Sequence, residues 1–208
     1  MIAMGDAQRA AFRRSSGCHE SQKRVRFRSW CVATFIALLA AALPAQSVKP
    51  TDYDVKAAYL FNFGHFVEWP ANASVSRSDS FVVCVLGQDP FGAVLDATLA
   101  GESIAGKKVT AKRISTPEES ANCQILFLSA AEELRLQKII GALNEQPVLT
   151  VSDMPHFSQR GGMIQFVLDG KKVRFEVNLS AVHHAGLSLS SELLKVATTV
   201  RRNSSSGD

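Results

Sequence analysis

The sequence lacks the short motifs by which many nucleotide-binding proteins, zinc proteins and hydrolases are recognised. It contains no phosphate-binding loop, no dinucleotide-binding glycine fingerprint, no zinc-ligand spacing and no nucleophile elbow. The histidines His65, His156, His183 and His184 have no spacing that would bring two of them to one metal ion. The sequence therefore predicts no metal site, no cofactor and no catalytic residues, and it argues against an enzyme.

An excess of one charge is also missing once the amino-terminal segment is set apart. The chain of 208 residues carries 23 basic and 19 acidic residues, but seven of the basic and two of the acidic ones precede residue 46. The remaining 163 residues hold 16 basic and 17 acidic side chains. Because a nucleic-acid-binding domain needs a basic footprint, this composition argues against a nucleic-acid partner.

The apolar run nearest the amino terminus is too short to span a bilayer comfortably, and it has the layout of a signal peptide. Three arginines between residues 24 and 28 precede the run Trp30 to Leu43, and the small residue Ala45 follows just before polar sequence. We expect residues 1–45 to be removed by cleavage after Ala45, which leaves a periplasmic domain of residues 46–208. A membrane anchor is the alternative, although a spanning helix needs about 20 apolar residues.

Residues 1–24 are polar, without pattern and unusually long for the basic region of a signal peptide. A start at Val25 would give a compact signal peptide. We therefore expect that the start codon is assigned too far upstream.

Cysteine is scarce as well. Cys18 and Cys31 precede the expected cleavage site, so Cys84 and Cys123 remain as an even pair in an oxidising compartment. Cys84 lies in one apolar run and Cys123 stands just before another, so the two would be close if these runs form neighbouring strands. We expect a Cys84–Cys123 disulfide; two buried free cysteines are the alternative.

The expected mature chain alternates apolar runs of strand length with segments of helical pattern. Strands are predicted over residues 81–86, 107–114, 124–128, 147–151, 163–168 and 171–178, of which the second is expected at a sheet edge. Helices are predicted from a cap at Asp52 to Trp69, from a cap at Asp89 to Leu99, and over residues 130–143, 152–157 and 192–200. Asp169-Gly170 predicts a hairpin between the last two strands. The pattern predicts a single α/β domain whose mainly parallel sheet has an antiparallel hairpin portion and helices on both faces.

Two segments leave an alternative open. The first predicted helix is apolar nearly all round, which is typical of a helix buried against a sheet and also of one that meets a partner; we favour burial. The turn Gly87 to Gly92 follows a buried strand and opens a helix, where α/β folds bind anionic ligands. An ordinary capped turn explains it as well, and we favour that interpretation.

Several collinear segments cover nearly the whole expected mature chain. They are VKAAYLFNFGHFVEWP (Val55 to Pro70), CVLGQDPFG (Cys84 to Gly92), QILFLS (Gln124 to Ser129), VLTVSD (Val148 to Asp153), GGMIQFV (Gly161 to Val167), VRFEVN (Val173 to Asn178) and AGLSLSSELLKVA (Ala185 to Ala197). Together these segments resemble the YfiR family. The resemblance implies a periplasmic regulator that represses a membrane-bound diguanylate cyclase by binding its periplasmic sensor region, thereby lowering cyclic di-GMP and biofilm formation.

The implied partner is the periplasmic region of an inner-membrane diguanylate cyclase or of a related sensor. A homodimer stays open, and the mature form is not expected to span the membrane. The alternative function is a periplasmic small-molecule-binding sensor that acts on a histidine kinase or a transporter.

The resemblance also implies roles for particular residues. Cys84 and Cys123 match a family cysteine pair, whereas a second pair found in some members is missing here, which puts a redox switch built on that pair in doubt. Glu176 and Val182 match positions on the family's regulatory surface. Strand alternation directs Glu176 away from its apolar neighbours, although a solvated strand face would give the same pattern.

Overall fold

The computed structural model describes residues 49–71, 79–144 and 146–202. The predictions of a signal peptide over residues 1–45, of cleavage after Ala45 and of a start at Val25 concern residues outside this range. In the described part of the chain, no helix is long and apolar enough to cross a membrane.

The described elements alternate between strands and helices along the chain. Their order is α1 (Asp52–Phe66), β1 (Val67–Glu68), β2 (Ser80–Leu86), α2 (Ala93–Leu99), β3 (Ser103–Ile104), β4 (Lys107–Ile114), β5 (Ile125–Leu128), α3 (Leu136–Ala142), β6 (Leu149–Ser152), β7 (Ile164–Asp169), β8 (Lys172–Asn178), α4 (Leu179–His184), β9 (Ser188–Leu189), α5 (Ser191–Val196) and β10 (Thr199–Arg201). Three 3-10 turns cover Pro117–Asn122, Ala130–Arg135 and Phe157–Gln159.

Eight of the strands form one mixed sheet, in the order β10-β8-β7-β6-β5-β2-β4-β3. The pairs from β4 through β2, β5 and β6 to β7 are parallel, as is the pair of β10 with β8, whereas β7 with β8 and β3 with β4 are antiparallel. The predicted α/β fold, with a mainly parallel sheet and an antiparallel hairpin portion, is confirmed. The strand β4 is not quite an edge, because β3 pairs with its first two residues.

The two faces of the sheet carry separate cores, and we call them face A and face B. Face A holds the larger core, in which α1, α2 and α5 pack on residues such as Val83, Val85 and Phe127. Face B holds a smaller core, in which α3 packs on Cys84, Leu86 and Leu126. Helices therefore cover both faces, as predicted.

The helix α1 is held close to the sheet along its whole length. Its cap is Thr51 and not Asp52, since the Thr51 hydroxyl accepts from the Asp54 amide and the Asp54 carboxylate accepts from the Thr51 amide, a capping box. Phe63 packs on Phe175 with ring centroids 5.2 Å apart. At Gly64 the helix comes so near the sheet that a Cβ atom would overlap Ile104.

Four of the five predicted helices have other boundaries and one is absent; α1 itself ends at Phe66, before the strand β1, and not at Trp69. The helix expected after Asp89 begins only at Ala93, and the helix expected over residues 130–143 starts as a 3-10 turn before α3. The helix expected over 152–157 is absent, because Ser152 ends β6 and the turn follows at Phe157–Gln159. The last helix is capped by Ser190 and ends at Val196, so that Thr199–Arg201 can add β10 to the sheet.

The disulfide predicted between Cys84 and Cys123 is confirmed. Its Cα atoms lie 5.9 Å apart, and the link joins the middle of β2 to the residue that ends the Pro117–Asn122 turn, two residues before β5. Both residues are buried within the face B core, at 0% and 1% exposure. The bond therefore links two positions that are 39 residues apart in the sequence, inside the apolar part of the molecule.

Candidate partner-binding site

Face B changes from apolar to polar along the sheet, and Glu176 lies in the polar half. On β2 and β5 this face presents Cys84, Leu86, Leu126 and Leu128, whereas from β6 to β8 it presents Thr150, Ser152, Gln165, Glu176 and Asn178. Thr150, Ser152 and Gln165 are buried. The polar half is thus an interior surface rather than the solvated strand face that the alternation alone would also allow.

Hydrogen bonds centred on Ser158 organise this polar half. The fully buried Ser158, in the Phe157–Gln159 turn, donates from its amide to Gln165 Oε1 over 3.1 Å, and its carbonyl accepts from Asn178 Nδ2 over 2.8 Å. Its hydroxyl lies 3.2 Å from Gln165 Oε1 and 3.1 Å from Glu176 Oε2. The turn is therefore tied to both strands of the hairpin through neutral and charged acceptors.

Glu176 faces away from the apolar side of β8, as predicted, but it is not a free carboxylate. Only 19% of its side chain is exposed, and it lies between the Ser158 hydroxyl and the Arg201 guanidinium, whose NH2 atom is 3.6 Å from Glu176 Oε2. The carboxylate therefore links the turn to the last strand of the sheet.

Unlike Glu176, Val182 lies in the apolar core of the protein. Val182 belongs to α4 and packs in the face A core with 0% exposure. A side chain without exposed surface makes no contact with a partner in this conformation, so the expectation of a surface position for Val182 is corrected. What Val182 fixes is the packing of α4, directly after the strand that carries Glu176.

The turn Gly87 to Gly92 is closed by the protein's own side chains. Arg113 donates from Nε to Asp89 over 2.8 Å, from NH1 to Asp96 over 2.7 Å and from NH2 to the Gly92 carbonyl over 2.8 Å. The hydrogen bond from Arg113 lowers the pKa of Asp96. With α2 only seven residues long and Arg113 across its start, the structure agrees with an ordinary, internally bonded turn.

A buried ionic cluster at the carboxyl end of β6 was not predicted from the sequence. Lys56 Nζ lies 2.6 Å from Asp153 Oδ2, the Tyr53 hydroxyl donates to the same oxygen over 3.0 Å, and Lys56 stands 4.2 Å from the centre of the Tyr53 ring. Burial and the Asp153 carboxylate raise the pKa of Tyr53 to about 12. A lysine and a tyrosine three residues apart on an apolar helix were the only local signal.

An open groove of about 490 Å³ lies beside the end of α1. Trp69, Phe81 and Ile104 form apolar parts of its wall, and Glu68 and Lys107 add charged side chains. The Trp69 indole Nε1 is buried and has no hydrogen-bond partner among the residues described here. The groove could hold a small, mainly apolar molecule.

The four histidines of the described ranges do not form a common site. His65, His156, His183 and His184 are exposed, and His184 Nε2 is 2.8 Å from Asn144 Oδ1. Across residues 49–71, 79–144 and 146–202 there is no group of three or more histidine, cysteine, aspartate or glutamate side chains that could hold a metal ion.

Comparison with known proteins identifies the family. Residues 53–198 match the family model described as YfiR/HmsC-like, and the chain belongs to this family. This family is regulatory, and its members are periplasmic in general.

Two solved structures are similar in part. One is a conserved domain protein from Vibrio cholerae, with 14% identity and a TM-score of 0.44 over 58% of this chain and 54% of the other. The second is described as an ABC domain in complex with L-Trp from Streptococcus pneumonia, with 10% identity and a TM-score of 0.46 over 70% of this chain and 60% of the other. The chain thus spans little more than half of the first structure and three fifths of the second.

Proposed function

We propose that this protein represses a membrane-bound diguanylate cyclase by binding the cyclase's periplasmic sensor region, and that it thereby lowers cyclic di-GMP and biofilm formation. The observation that carries the proposal is the family match over residues 53–198. The polar half of face B supports a contact mechanism, because there the Glu176 carboxylate is held in a fixed position beside Arg201 of the outer strand β10.

Deletion of the gene, followed by complementation, tests the proposal. Deletion should raise cellular cyclic di-GMP and biofilm mass, and the full-length gene should restore both. A variant without residues 25–45 should fail to restore them, because the domain would then lack the segment on which we expect its export to depend. If deletion leaves cyclic di-GMP unchanged, repression of a cyclase is wrong.

The Glu176 carboxylate can be tested within the same experiment. Glu176→Gln keeps the shape and the hydrogen-bonding oxygen near Ser158 but removes the charge next to Arg201, so it should fold like the parent and restore low cyclic di-GMP only partly. Glu133→Gln is a matched control, since it also removes an ion pair with an arginine, Arg160, but the Glu133 side chain is 48% exposed. Equal restoration by both variants would remove Glu176 from the repressing surface.

The groove beside Trp69 favours a second candidate, a small-molecule-binding sensor that acts on a histidine kinase or transporter. Trp69 is the only tryptophan after residue 45, so its fluorescence reports on the groove alone in the mature chain. A molecule retained by protein isolated from the periplasm, seen by native mass spectrometry and accompanied by a shift in Trp69 emission, would support this candidate. Retention together with unchanged cyclic di-GMP on deletion would put it ahead of the cyclase repressor.

A further inference from the structure

The strands β8 and β10 bring three basic side chains to one edge of face B. In the register of the sheet Thr199 pairs with Glu176 and Arg201 with Asn178, so Arg201 points to the same side as Glu176. Lys172 and Arg174 lie on that side too, since they alternate with the buried Val173 and Phe175. We call Lys172, Arg174 and Arg201 the basic edge.

The carboxylates close to the basic edge do not neutralise its positive charge. Asp169 stands opposite Lys172 in the hairpin register, and Glu176 is the other acidic residue that β7 and β8 present on this side. Arg174 is exposed, and no hydrogen bond or ion pair joins it to another residue in the described ranges. Arg202, also exposed, adds a further positive charge next to Arg201.

Arg201 differs from the other two residues of this edge because part of its guanidinium group is buried. Its Nε atom is buried and has no partner among the described residues, and its NH2 atom stays 3.6 Å from Glu176 Oε2. A charge-assisted hydrogen bond between these groups would measure about 2.7–2.9 Å. Yet 40% of the Arg201 side chain is exposed, so this residue can be approached from outside by a carboxylate of a partner.

We infer that the basic edge binds an acidic segment of the partner protein, with Arg201 as the contact that receives a carboxylate and Glu176 as the residue that positions Arg201. This inference deepens the proposed function, on which it rests for the partner's identity. Glu176 is four-fifths covered and already faces Ser158, so it acts on the partner through the guanidinium beside it rather than by touching the partner.

The mixed charges of this surface favour a protein over an anionic membrane. A membrane surface attracts clustered lysines and arginines in proportion to their number, whereas here Asp169 and Glu176 alternate with the cations. Interleaved charges disfavour a uniform anionic surface and favour a protein segment whose carboxylates are spaced to meet the cations.

Charge reversal tests the inference in cells that lack the chromosomal gene. Arg201→Glu and Arg174→Glu should each leave cyclic di-GMP near the deletion level, whereas Lys138→Glu on the exposed side of α3 should restore the parental level. Arg201→Lys should restore it in part, because it keeps the charge and loses the fork of the guanidinium. Arg174→Glu guards against a folding defect, since no partner of Arg174 is disturbed; its urea midpoint should equal that of the parent. Full restoration by both reversals would overturn the inference.

A photo-crosslinking residue at Lys172, with one at Lys138 as control, distinguishes failure of this inference from failure of the proposed function. The expected result is a crosslink from position 172 alone to a protein segment rich in aspartate and glutamate, located by mass spectrometry. Such a crosslink would stand even if deletion left cyclic di-GMP unchanged, in which case only the cyclase as partner is wrong. A crosslink to a basic or uncharged segment, or equal crosslinking from both positions, overturns the inference. The inference is also overturned if the protein floats with phosphatidylglycerol vesicles and Arg174→Glu abolishes that flotation.

Discussion

At Gly162 the chain passes directly beneath a buried aromatic ring. A Cβ atom there would overlap the ring of Phe157, which has 0% exposure in the face B core and therefore has no space into which to move. We expect Gly162→Ala to lower the free energy of unfolding by about 1–3 kcal/mol, the usual cost of overpacking. Urea denaturation followed by circular dichroism measures it.

Gly141 provides the matched control for that substitution. It lies within α3, and nothing stands within 4 Å of where its Cβ would be. Gly141→Ala should raise the free energy of unfolding by about 0.5–1 kcal/mol, because alanine in a helix has less conformational freedom to lose than glycine. A loss of stability in both variants would contradict the assignment of the Gly162 effect to the Phe157 ring.

At the scale of the element, α1 is anchored at its first turn by the cluster of Tyr53, Lys56 and Asp153. The pKa of Tyr53 is raised from 10 to about 12, so between these values the unfolded chain releases the phenol proton while the folded chain keeps it. The unfolded state then binds fewer protons, and stability must fall as pH rises from 10 to 12. Tyr53→Phe should remove this part of the alkaline loss while keeping the ring on Phe91.

Denaturant midpoints at pH 7, 8, 9, 10 and 11 measure this effect. The parent should lose more stability than Tyr53→Phe across the interval, and the two curves should run parallel below pH 9. An equal alkaline slope in both proteins would mean that the Tyr53 hydroxyl does not contribute.

Elements whose cause is local could be predicted from the sequence, and elements whose cause is distant could not. The buried strands, the Asp169-Gly170 hairpin and the cap at Ser129 follow from apolar runs, turn residues and capping side chains within a few positions. The predicted helix over residues 192–200 includes the first two residues of β10, because what makes Thr199–Arg201 extended is its pairing with β8. Long-range pairing leaves no local pattern.

The same limit applied to the site. Alternation gave the direction of Glu176, but the Ser158 hydroxyl and the Arg201 guanidinium that surround it come from a turn and a strand elsewhere in the chain. The Lys56–Asp153 pair joins residues 97 positions apart. For Val182 the family resemblance implied a surface position, and only the packing of α4 revealed a core residue.

At the scale of the whole molecule, the Cys84–Cys123 disulfide is the one covalent tie between distant parts of the described chain. Replacing both cysteines with alanine should lower the free energy of unfolding by about 2–4 kcal/mol, since the loop becomes free in the unfolded state.

Because both sulfur-bearing side chains are buried, the native protein should resist reductant until it unfolds. Thiol labelling after reduction, with and without urea, measures this; rapid labelling of both cysteines in native protein would contradict it.

The position of β10 has a practical consequence for anyone who handles this protein. A purification tag fused after Asp208 would begin seven residues beyond Arg201, a distance of at most about 25 Å even if that stretch were fully extended. A histidine tag or a fluorescent protein attached there would compete for space with whatever approaches the outer strand of the sheet. The reporter should therefore be inserted ahead of Lys49, downstream of the expected cleavage after Ala45, and data from carboxyl-terminal fusions should be compared with the untagged chain before a failure to repress is blamed on a mutation.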